Sequence, residues 1–189
     1  MMPWTDGKSL CHISFGLCGV PDPSQCENKA MRQGDLNPPS AIGTYGLAED
    51  FHKAACHLSQ SINERKLSIA FSTNLLIHLH SHSIELALKG FLLAKGCDEA
   101  GLRKIGHNLI KAFSKSIENG LAFDSAECGE RVRSQLEWLN SVRIANDMKY
   151  FRRINIENYR IDEIQYANNC LIEMVRIECE SASVPRQII

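Results

Sequence analysis

HSIELALKGFLLAKG, residues 82–96, is the stretch on which the fold turns. Ile84, Ala87, Leu88, Phe91 and Leu92 recur at spacings of three and four, the period of one helical face, and nothing in the stretch alternates as a half-buried strand would. Continued upstream, the same stripe takes in Leu75, Leu76 and Leu79. The pattern predicts a helix from Ser72 or Thr73 to Lys95, ended by Gly96 in a left-handed cap. A stripe this wide belongs to a central helix that packs against several neighbours.

Working outward, GLAEDFHKAACHLSQSI (46–62) places Leu47, Phe51, Ala54, Ala55, Leu58 and Ile62 on one face, and NERK (63–66) breaks it. CDEAGLRKIG (97–106) reads as a connection. Leu109, Ile110, Phe113 and Ile117 then mark a short helix closed by Gly120. Ser125 is an N-cap for a helix carrying Val132, Leu136, Leu139 and Val142. INIENYRI (154–161) looks extended or irregular. Asp162 is positioned to cap a last helix with Ile164, Ala167, Leu171, Met174 and Val175 inward. Residues 1–43 hold Gly, Pro, Ser and Asn without a sustained period and read as an irregular or disordered arm. Residues 44–180 form the bundle and 181–189 a frayed tail. The expected fold is all-α, an up-and-down bundle of about five helices.

A net charge of −1 over 189 residues argues against coating nucleic acid by bulk charge and leaves room for a local basic patch. No apolar run is long enough for a membrane span, and MMPWTDGKSL lacks the basic-then-apolar order of a secretory leader. The expected setting is the cytoplasm, with the eight cysteines as reduced thiols. Cys11, His12, Cys18 and Cys26 offer four zinc-type donors, but their spacing fits no common zinc module.

The long helix with IELALKG, its Gly-ended turn, the GHNL that opens the next helix (106–109) and RIDEIQYANNCLIEMV (160–175) together resemble the HEPN family of helical bundles, over roughly residues 47–178. The resemblance implies a homodimer, a link to RNA or nucleotides in toxin–antitoxin or defence systems, and a nucleotidyltransferase as partner. Many members of that family are metal-independent endoribonucleases. Their signature is an arginine, usually followed by a polar residue, with a histidine after four to six intervening positions in the C-terminal half. Here the last histidine is His107, so no arginine from Arg131 onward has a histidine after it, and Arg143 is followed by Ile144. The nearest pair is Arg103 and His107, one position too close. The expectation is therefore a catalytically incomplete module that binds nucleic acid, nucleotide or a partner protein. An endoribonuclease built on Arg103 and His107 is the alternative, since RNA cleavage needs a proton acceptor and a cation for the phosphate.

The remaining candidates each have a structural reading beside the functional one. Glu85 and Lys89 stand at i, i+4 with the acid first, either a polar couple facing a cavity or a pair that fixes packing. His78, His82 and Glu85 share a face and are weak metal candidates or a rim of unligated side chains; no metal or other cofactor is expected. His80 points elsewhere and reads as a satisfied core histidine. His107 at a helix start is a cap or a ligand-facing residue, and Asn108 beside it can cap. Arg143, Lys149, Arg152 and Arg153, with Tyr150 between them, suit phosphates and bases, or a helix end with its aromatic anchor. Cys56 and Cys170 read as small core residues.

Overall fold

A computed structural model describes residues 38–145 and 161–182 of the chain. Six helices lie among the described residues: α1 (Ala41–Asn63), α2 (Ile69–Ala94), α3 (Glu99–Ile105), α4 (Leu109–Glu118), α5 (Ala126–Ala145) and α6 (Ile161–Ser181). No strand occurs among them, as the periodicity requires. The central helix is α2, which packs on α1, α4 and α6; α5 closes the bundle against α4 and α6. No described helix is long and apolar enough to cross a membrane.

The apolar faces converge on one core. Ile84, Leu88, Phe91 and Leu92 of α2 are fully buried with Leu109 and Phe113 of α4, Val132, Leu136 and Leu139 of α5, and Ile164, Leu171 and Val175 of α6. Gly96 ends α2 at φ +87°, the left-handed cap expected of it. Ser125 caps α5, its Oγ accepting from the Cys128 amide at 3.1 Å.

Several details depart from the sequence reading. Residues 99–105 are not a bare connection but the seven-residue α3, capped by Asp98, whose carboxylate accepts from the Gly101 amide at 2.8 Å. Helix α2 starts at Ile69 rather than Ser72 or Thr73, and α1 starts at Ala41, capped by Ser40. Asp162 lies inside the first turn of α6 instead of capping it.

The inner face of α1 is also rotated from the expected one. Tyr45, Ala48 and Ala55 are buried, whereas Leu47 is 47% exposed and Ala54 faces solvent. The cause is close helix packing. A Cβ on Gly90 of α2 would stand 3.3 Å from both the Ala41 carbonyl oxygen and the Tyr45 amide nitrogen of α1. The missing side chain at Gly90 lets the two backbones approach, and in that docking Tyr45, Ala48 and Ala55 face inward while Leu47 is left outside. In α2, Leu75 is 51% exposed while Ile77, absent from the expected stripe, is buried. Ile117 is exposed too; Cys56 and Cys170 are only partly buried, Cys170 packing against the core from its edge.

A polar thread ties the three tightest helices together. The Ser83 hydroxyl bonds the Ala48 carbonyl of α1 at 2.8 Å and the Asn168 side-chain amide of α6 at 3.0 Å. The other end of that amide meets His80 Nδ1 at 3.0 Å. His80 is therefore a core histidine, but only half satisfied: its buried Nε2 has no hydrogen-bond partner. Burial drives its pKa down to about 4, helped by neighbouring His52, so the ring is neutral near pH 7.

Candidate functional site

The site is built where the α3–α4 turn returns to α2. Gly106 caps α3 at φ +63° and ψ −132°, a conformation that disfavours any side chain, and this turn carries His107 back towards α2. Asn108 then caps α4, its Oδ1 accepting from the Lys111 amide at 2.9 Å. Asn140 of α5 accepts from the Leu109 amide at 3.0 Å and fixes the start of α4 from the opposite side. His107 is thus not the cap. Its side chain is 78% exposed.

The ring of His107 is nevertheless held. Its Nδ1 lies 2.8 Å from Oε1 of Glu85, a carboxylate whose residue is only 2% exposed. Lys89 Nζ bonds the same oxygen at 2.7 Å. A buried carboxylate is tolerated when cations and donors meet it, and here α2 supplies the ammonium while the α4 turn supplies the imidazole. With Nδ1 committed to Glu85, Nε2 is the nitrogen left for a ligand: an acceptor on the neutral ring, a donor on the protonated one.

Helices α3 and α4 also line an open cleft of about 470 Å³ that includes none of these three residues. Ile105 and Ile110 contribute apolar walls, and Lys104, Lys111 and Lys115 add cationic ones. Lys115 is paired with Glu118 at 2.8 Å. Arg103 is likewise paired with Glu99, which leaves Lys104 and Lys111 as the cations of this region without an ion pair among the described residues.

The candidate residues named from sequence fall into three groups. Glu85, Lys89 and His107 come together, although nothing in their spacing along the chain joins the helix pair to the histidine. Arg103 does not join them: both its Nε and its Nη2 bond Glu99, at 3.1 and 2.6 Å, and the pair is exposed. The metal candidates diverge as well. Glu85 is turned to Lys89 and His107, while His82 stacks parallel to His78 and meets the Phe51 ring edge-on. Among the described residues no three His, Cys, Asp or Glu side chains gather as a metal would need. Arg143 belongs to α5, but its side chain lies outside the described residues, as do Lys149, Tyr150, Arg152, Arg153 and the Cys11, His12, Cys18 and Cys26 set. Asn140 was missed; an Asn at a polar helical position carries no signal of the partner it finds 31 residues away.

Compared with protein-family models, with curated proteins and with solved structures, the chain matches none. What the described residues define is an all-α bundle with a carboxylate-anchored histidine at one helix turn.

Proposed function

We propose that this chain is a HEPN-like binding module that takes a phosphate-bearing ligand, RNA or nucleotide, at the α3–α4 turn without cleaving it. The observation that carries the reading is the hydrogen bond from exposed His107 to buried Glu85, which also holds Lys89 and leaves Nε2 for a ligand at the turn between the two helices that line the cleft. An anion bound at this turn would draw on the imidazole edge and on the ammonium groups of Lys104 and Lys111, the donors that phosphate oxygens accept from. Cleavage would need a second group poised for the leaving oxygen and a cation for the reacting phosphate, and Arg103 is engaged by Glu99 instead. The family resemblance further leads us to propose self-association and a nucleotidyltransferase as partner.

The test is fluorescence anisotropy with a labelled single-stranded RNA at two salt concentrations. Three phosphate contacts predict a loss of about 20-fold in affinity between 50 and 200 mM salt, from the single-strand slope of about −0.7 per contact. Lys104→Ala with Lys111→Ala should flatten that slope. Salt-independent binding, or none, would refute the reading. One observation favours a second reading: a histidine oriented by a carboxylate is also how a general base is presented. Cleavage of RNA in EDTA, abolished by His107→Ala and by Arg103→Ala, would make the chain an endoribonuclease.

A further inference from the structure

On the face where α5 packs against α6, two thiols and a phenol meet. Cys128 stands in the first turn of α5, its Sγ 3.5 Å from the hydroxyl of Tyr166 on α6. Cys170 is one turn beyond Tyr166 on the same helix, so the two thiols flank one phenol where α5 packs on α6. The arrangement is clamped. Arg131 lays its guanidinium over the Tyr166 ring, 3.7 Å from Cζ to the centroid, and is held there by two bonds to Glu163 at 2.6 and 3.0 Å. Both cysteines are partly exposed, so a small oxidant can reach them. No other two of the described cysteines flank one group in this way; Cys56 contacts His52 and Gln165, and Cys97 contacts a backbone carbonyl.

We propose that Cys128 and Cys170 are a peroxide-sensitive dithiol that closes reversibly to a disulfide bridging α5 and α6. The chemistry is balanced with hydrogen peroxide as oxidant. The Cys128 thiolate attacks one peroxide oxygen, the O–O bond breaks, and hydroxide leaves to be protonated to water. Cys170 then attacks the sulfenic sulfur of Cys128, forming the S–S bond and releasing a second water. Two thiols lose two electrons and one peroxide is reduced to two waters. Burial pushes the Cys170 thiol up, an effect the Tyr166 hydroxyl and Arg131 partly offset, which suits Cys170 to the second step. The Tyr166 phenol, its pKa pushed up to about 12 by its bonds to the two sulfurs, stays protonated and can donate to whichever sulfur is ionised. In a reducing compartment such a bond is a transient, sensing one rather than a structural staple.

The experiment uses the full reduced chain, treated with dilute hydrogen peroxide, alkylated with N-ethylmaleimide, digested without reductant and read by mass spectrometry. The expected result is a loss of two alkylatable thiols per chain and a peptide pair joined through Cys128 and Cys170, released by dithiothreitol. In Cys170→Ser, dimedone should accumulate on Cys128 as the unresolved sulfenic acid. The proposal is overturned if other cysteines are oxidised while Cys128 and Cys170 remain alkylatable, or if either is found joined to a different cysteine. The wild-type chain alone decides between these outcomes, so a variant that folds poorly leaves the test intact.

Discussion

Replacing Glu85 with Gln keeps the shape of the side chain and removes the charge that both Lys89 and His107 use. Taking one partner from a buried ion pair costs about 3–5 kcal/mol when the other charge stays trapped. Lys89 is not fully trapped, since its side chain is 17% exposed and its stem can extend towards water, which lowers the cost. The share of His107 is close to nothing because its side chain is 78% exposed and a screened contact there adds little. The expected loss is therefore about 2–3 kcal/mol. With a urea slope of about 2 kcal/mol/M, the unfolding midpoint at pH 7 should fall by roughly 1–1.5 M. A double-mutant cycle with Lys89→Met isolates the pair. The double variant should be more stable than the sum of the single losses implies, by about 1–2 kcal/mol, since each change removes the partner the other would strand. A loss under about 0.5 kcal/mol for Glu85→Gln, or strict additivity in the cycle, would refute the view that the carboxylate anchors this site.

Three further outcomes follow from the packing and the buried titratable groups. Leu88→Ala should cost about 2–5 kcal/mol in urea unfolding, because the side chain is fully buried at the centre of α2. Gly90→Ala should destabilise despite a helix-propensity gain of about 1 kcal/mol, since forcing a methyl against the α1 backbone costs typically 1–3 kcal/mol; a higher melting temperature would show that α1 can retreat. His80, with a folded pKa near 4 against about 6.5 unfolded, contributes stability that is fully present above pH 6.5 and is lost as pH falls towards 4, because the unfolded chain takes up the proton first. The loss between pH 7 and pH 5 should be about 2 kcal/mol, and His80→Gln should flatten that slope.

Much of the fold was legible in the chain because helices announce themselves through a period of 3.6, and the inward residues of α5 follow that period without exception. The caps at Ser125 and Asn108 were equally local, since a side chain reaching an amide three residues on depends on nothing distant. Helix α3 escaped because seven residues are too few for a periodic stripe, although Asp98 before it and Gly106 after it are start and stop signals. The buried face of α1 escaped for a different reason. Apolarity alone favoured Leu47, but the inward face follows from the close approach of two backbones at Gly90, and that contact joins positions far apart in the chain. The candidate site divides along the same line. Glu85 and Lys89 are one helical turn apart, so their pairing was determined by the sequence itself. His107, 22 residues from Glu85, became its partner only when the α3–α4 turn folded back onto α2, and Cys128 and Cys170 met only through α5 packing on α6. Period and capping are properties of neighbours along the chain; which buried carboxylate a histidine finds, or which thiol a thiol finds, depends on how whole helices dock.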